Sequence, residues 1–277
     1  MNRYVVAISV CCVALPAFAQ QPPVERPVDR NSVNIGIGAS VRPSYSGSND
    51  YVVGPAAIIR GKVAGFSFET TGPEISVDLI RKTSDNGLKF KIGPVAGVGL
   101  NRSSQIRDPR VAALGNIRAA AHLGAFIGVQ KSGVITSPYD SLSFEISHVR
   151  DVGMVHKSSI TNAKIQYATP LSTRTFVSVA ASATIVGDRY ARTYYAVSPV
   201  GSAASGLRSY DLKGGVKDIG ITFIGAHSLG NDIRRGASLF GVAGYSRLLG
   251  DFKDSPVVAD AGSANQLFAA FGVGYSF

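Results

Sequence analysis

The chain has 277 residues, with 28 Lys and Arg against 18 Asp and Glu, so its formal net charge is +10. Both cysteines, Cys11 and Cys12, lie near the start of the chain, and the remainder therefore offers no disulfide framework and no cysteine metal site. Beyond the first 19 residues no run of 18 consecutive apolar residues occurs, which argues against a helical membrane span there.

The first residues are typical of a secretory signal peptide. Arg3 precedes an apolar run that ends at Leu15, and Ala17-Phe18-Ala19 then forms an A-x-A cleavage site. This pattern predicts a signal peptide over 1–19, cut between Ala19 and Gln20. The apolar run is too short to be a transmembrane anchor, which takes roughly 20 residues.

A proline-rich and charged segment follows, and we expect residues 20–32 to form a disordered periplasmic lead-in. From residue 33 onward, apolar residues alternate with small or polar ones, which is the period of a strand with two unlike faces. The alternation predicts about twelve strands, near 33–42, 51–60, 63–71, 73–81, 88–100, 117–130, 141–149, 158–169, 173–186, 218–228, 236–247 and 266–277.

The last predicted strand ends the chain as FAAFGVGYSF. Its alternate residues Phe271, Val273, Tyr275 and Phe277 form an apolar, aromatic face, whereas the other face carries mainly small residues. A soluble edge strand of this kind would be prone to aggregate, but a transmembrane barrel strand needs such a face toward lipid.

The connections between the predicted strands alternate in length. The short ones are Gly61-Lys62, KTSDNG, KSGVITSPYD, PLST and LGNDIRRG, and long connections lie between most of them. Short periplasmic turns and long extracellular loops are typical of outer-membrane barrels, and an even strand count returns both termini to the periplasm. The sequence therefore predicts an all-β fold, a transmembrane antiparallel β-barrel over 33–277.

Three long motifs resemble the outer-membrane family of MltA-interacting protein (MipA) and OmpV. They are RPSYSGSNDY (42–51), DRYARTYYAVSPVGSAASGLRSYD (188–211) and GYSRLLGDFKDSPVV (244–258), the last followed by the closing strand. The resemblance covers essentially the whole chain after the signal peptide. It implies a location in the outer membrane of a Gram-negative bacterium. It also implies that Phe271, Val273, Tyr275 and Phe277 form the terminal signal read by the barrel-assembly machinery.

The resemblance further implies a scaffold that links a lytic transglycosylase to a peptidoglycan synthase in cell-wall remodelling. Two alternatives stay open: a narrow channel for small anionic solutes, and a surface adhesin or antigen. Outer-membrane lipid and lipopolysaccharide are expected neighbours, and a secreted barrel is not expected to bind nucleic acid despite its basic charge.

Residue patterns suggest two candidate sites. Lys89, Lys91 and Arg118 are predicted to line the lumen, where they would suit an anionic solute. Tyr190, Tyr194 and Tyr210 lie in the longest outer loop and could be anchors for a binding partner. Alternatively, Tyr190 belongs to the aromatic belt at the rim, and the others hold the loop in the lumen.

No catalytic constellation is predicted. His148 neighbours Ser147, but adjacent strand residues point to opposite faces, so the two side chains cannot pair. His122 is expected to face the lumen alone, His156 to lie in a short outer loop, and His227 near the periplasmic end. We therefore expect a protein that is not an enzyme and has no cofactor or metal.

Overall fold

The structure, a computed structural model, describes residues 31–81, 87–103 and 105–277. The predicted signal peptide and its cleavage site lie outside these residues, as does most of the lead-in. Within the described ranges the strands are β1 (Ser32–Pro43), β2 (Tyr51–Val63), β3 (Phe66–Thr71), β4 (Glu74–Asp78), β5 (Leu88–Gly99), β6 (Ala120–Ser132), β7 (Ser141–Asp151), β8 (Ser159–Pro170), β9 (Thr175–Val186), β10 (Gly215–Ser228), β11 (Gly236–Leu248) and β12 (Asn265–Ser276). The helices are α1 (Pro109–Ala113), α2 (Asp188–Tyr195), α3 (Pro199–Ser205), α4 (Gly250–Asp254) and α5 (Pro256–Ala259). None of these described helices has the length and apolar character needed to cross a membrane.

The strands pair in sequence order and close into a barrel, with β1 bonded to both β2 and β12. All pairs are antiparallel, and the β1–β12 seam runs from Asn34 opposite Ser276 to Val41 opposite Ala269. Closure matters because an open sheet edge would leave backbone N–H and C=O groups without partners. The predicted twelve-strand barrel is confirmed.

The two faces of each strand differ as the alternation predicts. On β12, Phe271, Val273 and Tyr275 are 63%, 53% and 51% exposed on the outer wall. The intervening residues face the lumen, where Gln266 and Ser276 are buried. An apolar exterior and a polar or small-residue interior are what a bilayer-spanning barrel requires.

The connections separate the barrel into two ends. The short turns, such as Ala64–Gly65 and 171–174, gather at one end, which we call the turn end. At the other end, the loop end, the connections β5–β6, β9–β10 and β11–β12 are longer and carry all five described helices. The loop-end connections β1–β2, at 44–50, and β7–β8, at 152–158, are as short as turn-end ones, and β3–β4 has only Gly72 and Pro73.

Every predicted strand boundary lies within three residues of the observed one. The turn expected at Gly61-Lys62 lies instead at Ala64 and Gly65. Both residues have positive φ, at 51° and 87°, the geometry of the tight hairpin turn that follows strand twist. The alternation continues through Lys62 and Val63, so periodicity alone could not locate this turn.

Glycines allow close approach of the strands at the seam. Gly38 of β1 lies opposite Gly272 of β12. A Cβ built at Gly38 would overlap the carbonyl oxygen of Phe271, and one built at Gly272 would overlap the carbonyl oxygen of Ile37. By contrast, Gly241 on β11 has open space around the same position.

We therefore expect Gly38→Val to weaken the closed barrel and Gly241→Val to be tolerated. The overlap at Gly38 would cost about 1–3 kcal/mol, as overpacking does in other tightly packed sites. The measurement is the temperature at which the folded band in SDS gel electrophoresis converts to the unfolded mobility. Equal conversion temperatures for the two variants would contradict a tight seam.

Candidate functional site

The connections at the loop end fold over the barrel mouth and form what we call the lid. It consists of the connections β1–β2, β5–β6, β7–β8, β9–β10 and β11–β12 as far as they are described. Local signals start its helices: Asp108 accepts the backbone N–H groups of Arg110 and Val111 ahead of α1, and Ser198 accepts that of Gly201 ahead of α3. Each cap is followed by proline at the first helical position, which favours a helix start.

Two apolar clusters hold the lid together. The first contains Tyr190, Tyr194 and Tyr195 of α2, packed with Phe252 and with Leu248 at the end of β11. The second cluster is Tyr45, Val111, Val197, Leu207, Val257 and Ala261, drawn from four different connections. Burying each large apolar side chain contributes roughly 1.5–3 kcal/mol, so the lid is a packed structure and not a set of independent loops.

Hydrogen bonds fix the tyrosines within these clusters. The Tyr45 hydroxyl donates to the carbonyl of Ala261 at 2.8 Å, and the Tyr195 and Ser46 hydroxyls bond at 2.7 Å. Burial raises the pKa of Tyr45 and of Tyr194 above the usual value, so both stay neutral hydrogen-bonding groups at physiological pH. The Arg102 guanidinium, 3% exposed, donates to the Tyr194 carbonyl at 3.3 Å and ties the β5–β6 connection to α2.

The tyrosines proposed as outer-loop binding residues are part of this packing. Tyr190 and Tyr194 are 8% and 2% exposed, so they are not presented to an external partner. Tyr210 is half-buried, and its hydroxyl donates to the carbonyl of Asp251 at 2.9 Å. This placement favours the second interpretation, in which the tyrosines hold the loop in position. A ligand-binding role for them stays a prediction.

A histidine pair lies directly under the lid. The Nε2 atoms of His122 on β6 and His156 in the β7–β8 connection are 3.2 Å apart. The expectation that His122 faces the lumen alone is therefore wrong, because the connection folds inward and brings His156 to it. The backbone N–H of Ser158 donates to Nδ1 of His156, which places the proton of a neutral His156 on Nε2. Nδ1 of His122 then lies toward Glu74, 3.7 Å away.

The pair is covered by aromatic rings and supported by a carboxylate. His156 contacts the rings of Tyr190 and Tyr194, with centroids 5.1 and 5.9 Å away. The backbone N–H groups of His156 and Lys157 donate to one oxygen of Asp151. Burial of the His156 ring lowers its pKa, and Asp151 offsets only part of this effect. His156 is therefore neutral in the closed lid at neutral pH.

At the turn end the lumen opens as a polar cavity of about 230 Å³, which we call the vestibule. Glu145 lies in its wall with Lys91 at 3.0 Å and Lys164 at 3.6 Å. Glu69 lies 3.9 Å from Lys91. The vestibule thus carries both signs of charge in one ion network.

An apolar cluster lies on the side of the lumen formed by β5–β8, between the strand positions that line the vestibule and those beneath the lid. It consists of Val95, Phe126 and Val149, all less than 5% exposed, with Ile160 packed against them, and we call it the septum. Phe126 also lines the vestibule, and Ile160 lines a second cavity of about 240 Å³ under the lid. The Lys91 ammonium lies 5.4 Å from the centre of the Phe126 ring, which joins the septum to the ion network.

The three basic residues predicted for the lumen differ in placement. Lys91 lines the vestibule, and Lys89 lies on the same face of β5, two residues nearer the turn end. Arg118 does not lie in the lumen, so this prediction is wrong. It is exposed at the loop-end rim and donates to the carbonyl of Gly153 at 2.6 Å. The cause is the start of β6, which begins at Ala120 and not at 117.

The remaining polar candidates show ordinary structural pairings. His148 and His227 each bond a threonine hydroxyl on a neighbouring strand at 2.8 Å. In the lid, Asp211 pairs with Arg192 and Asp260 with Arg208. Across the described ranges, no group of three or more His, Cys, Asp and Glu residues lies close enough to hold a metal ion.

The histidine pair should make the lid sensitive to acid. When the lid opens, His156 is exposed to water and its pKa returns to the ordinary value of 6.5. Below pH 6.5 the open form therefore binds a proton at His156 that the closed form, with its lowered pKa, does not bind. The stability of the closed lid is therefore fully present above 6.5 and falls as pH moves down toward the lowered pKa of His156. We expect amide hydrogen exchange in 152–158 and 188–195, corrected for its intrinsic pH dependence, to accelerate between pH 7 and pH 5. His156→Gln should remove most of this acceleration and His148→Gln none, and the reverse result would contradict the assignment.

The ion network yields a second prediction. Glu145→Gln leaves Lys91 and Lys164 near each other without their shared carboxylate, and the side chains involved are 13–17% exposed. Because the open vestibule screens part of the repulsion, we expect a loss of about 1–3 kcal/mol, less than for a fully buried pair. Urea unfolding followed by circular dichroism measures it. Adding Lys164→Gln should recover part of the loss, and a double variant less stable than Glu145→Gln would argue against the network.

Three solved outer-membrane proteins are similar to this chain over most of its length. An outer membrane channel from Pseudomonas putida F1 aligns over 93% of this chain and 100% of its own, with 10% identity and a TM-score of 0.44. The toluene transporter TodX of Pseudomonas putida covers 90% and 89%, with 10% identity and a TM-score of 0.35. OmpT of Vibrio cholerae covers 90% and 98%, with 8% identity and a TM-score of 0.34.

No curated protein matches the chain significantly. The family described as MltA-interacting protein MipA matches residues 35–277, nearly the whole chain. The barrel fold, its apolar exterior and the family match all indicate a location in the outer membrane. The chain belongs to the MipA family and is a β-barrel of the bacterial outer membrane, with its short turns in the periplasm and its long loops outside.

Proposed function

We propose that the protein is a non-enzymatic docking scaffold whose turn end binds a periplasmic lytic transglycosylase. A peptidoglycan synthase would join the same assembly. The observation that carries the proposal is the contrast between the two ends: the loop end is closed by a packed lid, whereas the vestibule opens at the turn end. The family name supports the choice of partner, because it describes an interaction with MltA.

The rim of the turn end is basic, which suits an acidic partner surface. Its cationic residues are Arg60, Lys62, Arg81, Lys131, Arg174, Arg234 and Arg235. Of the acidic residues near them, Asp232 pairs with Arg234, and Asp140 is fully buried in its turn. Charge complementarity of this kind accelerates association and selects the partner.

The turn at 133–140 is rigid enough to act as part of a docking surface. The Asp140 carboxylate accepts the backbone N–H groups of Val134, Ile135 and Thr136 and the hydroxyl of Tyr167. These hydrogen bonds hold the pKa of Asp140 well below its usual value, despite the opposing effect of burial. A turn fixed by its own carboxylate loses little entropy on binding.

The alternatives fit the structure less well. A channel for anionic solutes is favoured less, because the vestibule carries Glu145 and Glu69 as well as lysines and an apolar cluster lines part of the described lumen. An adhesin that binds through Tyr190 and Tyr194 would have to expose side chains that are buried in the lid.

Charge reversal at the turn end tests the scaffold. Lys131→Glu, Arg174→Glu and Arg235→Glu together replace three exposed cations of the rim. We expect the triple variant in lipid nanodiscs to bind a purified lytic transglycosylase at least tenfold more weakly at 0.1 M salt. Wild-type binding should itself weaken as salt rises, because charges at the rim of an interface are screened.

A matched control carries the same change in charge at the loop end. Arg107→Glu, Arg189→Glu and Lys213→Glu replace exposed cations of the lid. This control should bind the enzyme like the wild type. Equal losses in both triple variants would indicate nonspecific attraction, and wild-type barrels that bind no transglycosylase at all would refute the proposal.

A further inference from the structure

The barrel wall is incomplete beside β2. Strands β3 and β4 have 6 and 5 residues, whereas their neighbours β2 and β5 have 13 and 12. β3 pairs with β2 only from Arg60 to Val63. Toward the loop end, residues 51–58 of β2 therefore have no ladder neighbour on this side among the described residues.

The backbone of this stretch presents polar groups to the gap. The N–H of Ile59 donates to the Thr70 hydroxyl of β3, so alternate residues from Ile59 point the same way. Val53 and Ala57 thus direct their backbone groups toward the gap, whereas the Pro55 carbonyl accepts the Ser40 hydroxyl of β1 at 3.4 Å. Proline has no N–H, and its presence here removes one donor that would lack a partner. The remaining groups would cost several kcal/mol each in pure hydrocarbon, so the gap must adjoin a cavity that contains water or ligand.

The gap has a defined frame, and we call it the window. The β3–β4 tip from Thr71 to Glu74 forms one side of the frame. Opposite this tip, the backbone N–H of Ser46 donates to Asn101 Oδ1 at 2.9 Å and joins two connections of the lid. The strands β2 and β5 flank the window, and three strand spacings separate them by about 14 Å.

A cavity lies beside the window, between the β3–β4 tip, the end of β5 and the lid. Its volume is about 240 Å³, and its lining includes Val98 and Leu100, which are 42% and 43% exposed. Val98 lies on the lipid-facing side of β5, in alternation with Phe90, which is 60% exposed. The same cavity is lined inside the barrel by residues of the lumen and lid, namely His122, Ile160, Thr184, Tyr190, Tyr194 and Lys217. The cavity therefore brings the lumen next to the part of the wall where the β2 edge has no described neighbour.

The chemistry changes across the window. On the lipid side its borders are apolar, with Val53 69% exposed and Pro55 and Ala57 also exposed. Within the lumen, polar side chains from Glu74, Asn101 and His122 line the cavity. A molecule bound there would keep an apolar part toward the bilayer and place a polar part beneath the lid.

We propose that the window is a lateral port through which a single-chain amphiphile of the outer leaflet enters the lumen. Its hydrocarbon chain passes between Val98 and the β2 edge, and its head group binds near His122 and Glu74. The cavity, of about 240 Å³, offers room for one chain end beside its polar lining. The port lies at the opposite end from the docking rim, so the two proposals can fail separately.

Cysteine accessibility tests the port, because residues 13–277 contain no cysteine. Thr184→Cys places a thiol in the window cavity, and Ser143→Cys places one in the vestibule. Each variant is reconstituted in vesicles and treated with N-dodecylmaleimide, which partitions into the bilayer, or with water-soluble N-ethylmaleimide. Intact-protein mass spectrometry gives both rates, and their ratio corrects for intrinsic thiol reactivity.

We expect the dodecyl-to-ethyl ratio to be at least tenfold higher for Thr184→Cys than for Ser143→Cys. Adding Val98→Trp with Leu100→Trp should narrow the port and lower the Thr184→Cys ratio at least fivefold. Phe90→Trp with Ile92→Trp, on the same strand and face but away from the window, is the matched control and should leave the ratio unchanged.

Two results would overturn the port. One is an equal ratio at the two cysteines, a comparison that needs no change in the wall and so does not depend on how the tryptophan variants fold. The other is an equal effect of the two tryptophan pairs. A protein strand bound along the β2 edge would block the reagent and give the first of these results.

Discussion

The structure depends on one requirement: in a bilayer, backbone N–H and C=O groups have to be paired within the protein. Twelve strands meet it by closing on themselves, and the last step is the pairing of β1 with β12. The glycine pair Gly38 and Gly272 lets these two strands approach closely at their centre. The apolar face of β12 has a role only because this closure directs it toward lipid.

The same requirement makes the β2 edge informative. In the described wall, residues 51–58 of β2 have a ladder neighbour on a single side, that of β1. Pro55 lies at a position where the missing N–H would have faced the gap. A proline here is therefore compatible with the fold, whereas on the paired side it would remove a ladder bond.

Large side chains fill the lumen in two places: beside the small residues of the strands and beneath the lid. Glycines such as Gly36 and Gly244 leave space that is filled by Phe240 and Phe268. At the loop end the remaining width is filled by the tyrosines of α2 and their partners. Because the vestibule opens at the turn end, the molecule has one covered end and one open end, and this difference supports the proposed binding at the turn end.

The sequence predicted the strands well because period-two alternation is a local signal that the pleated backbone imposes on every strand. It predicted turns less well, since alternation runs on through Lys62 and Val63 up to Ala64–Gly65. Arg118 was misplaced because a shift of three residues in the start of β6 moves a side chain from the lumen to the rim.

The lid and the histidine pair could not be predicted in the same way. The helices of the lid have 4 to 8 residues, too few to show a helical period. His122 and His156 are 34 residues apart in the chain and meet only because the β7–β8 connection folds inward. Asp108-Pro109 and Ser198-Pro199 are local signals in the sequence for the starts of α1 and α3.

The septum links the two cavities of the described lumen. Phe126 lines the vestibule, and Ile160, which packs against the same cluster, lines the cavity beneath the lid. The ring of Phe126 lies beside Lys91, which in turn is bonded to Glu145. The apolar packing of the septum and the ion network of the vestibule therefore share a contact at Phe126 and Lys91.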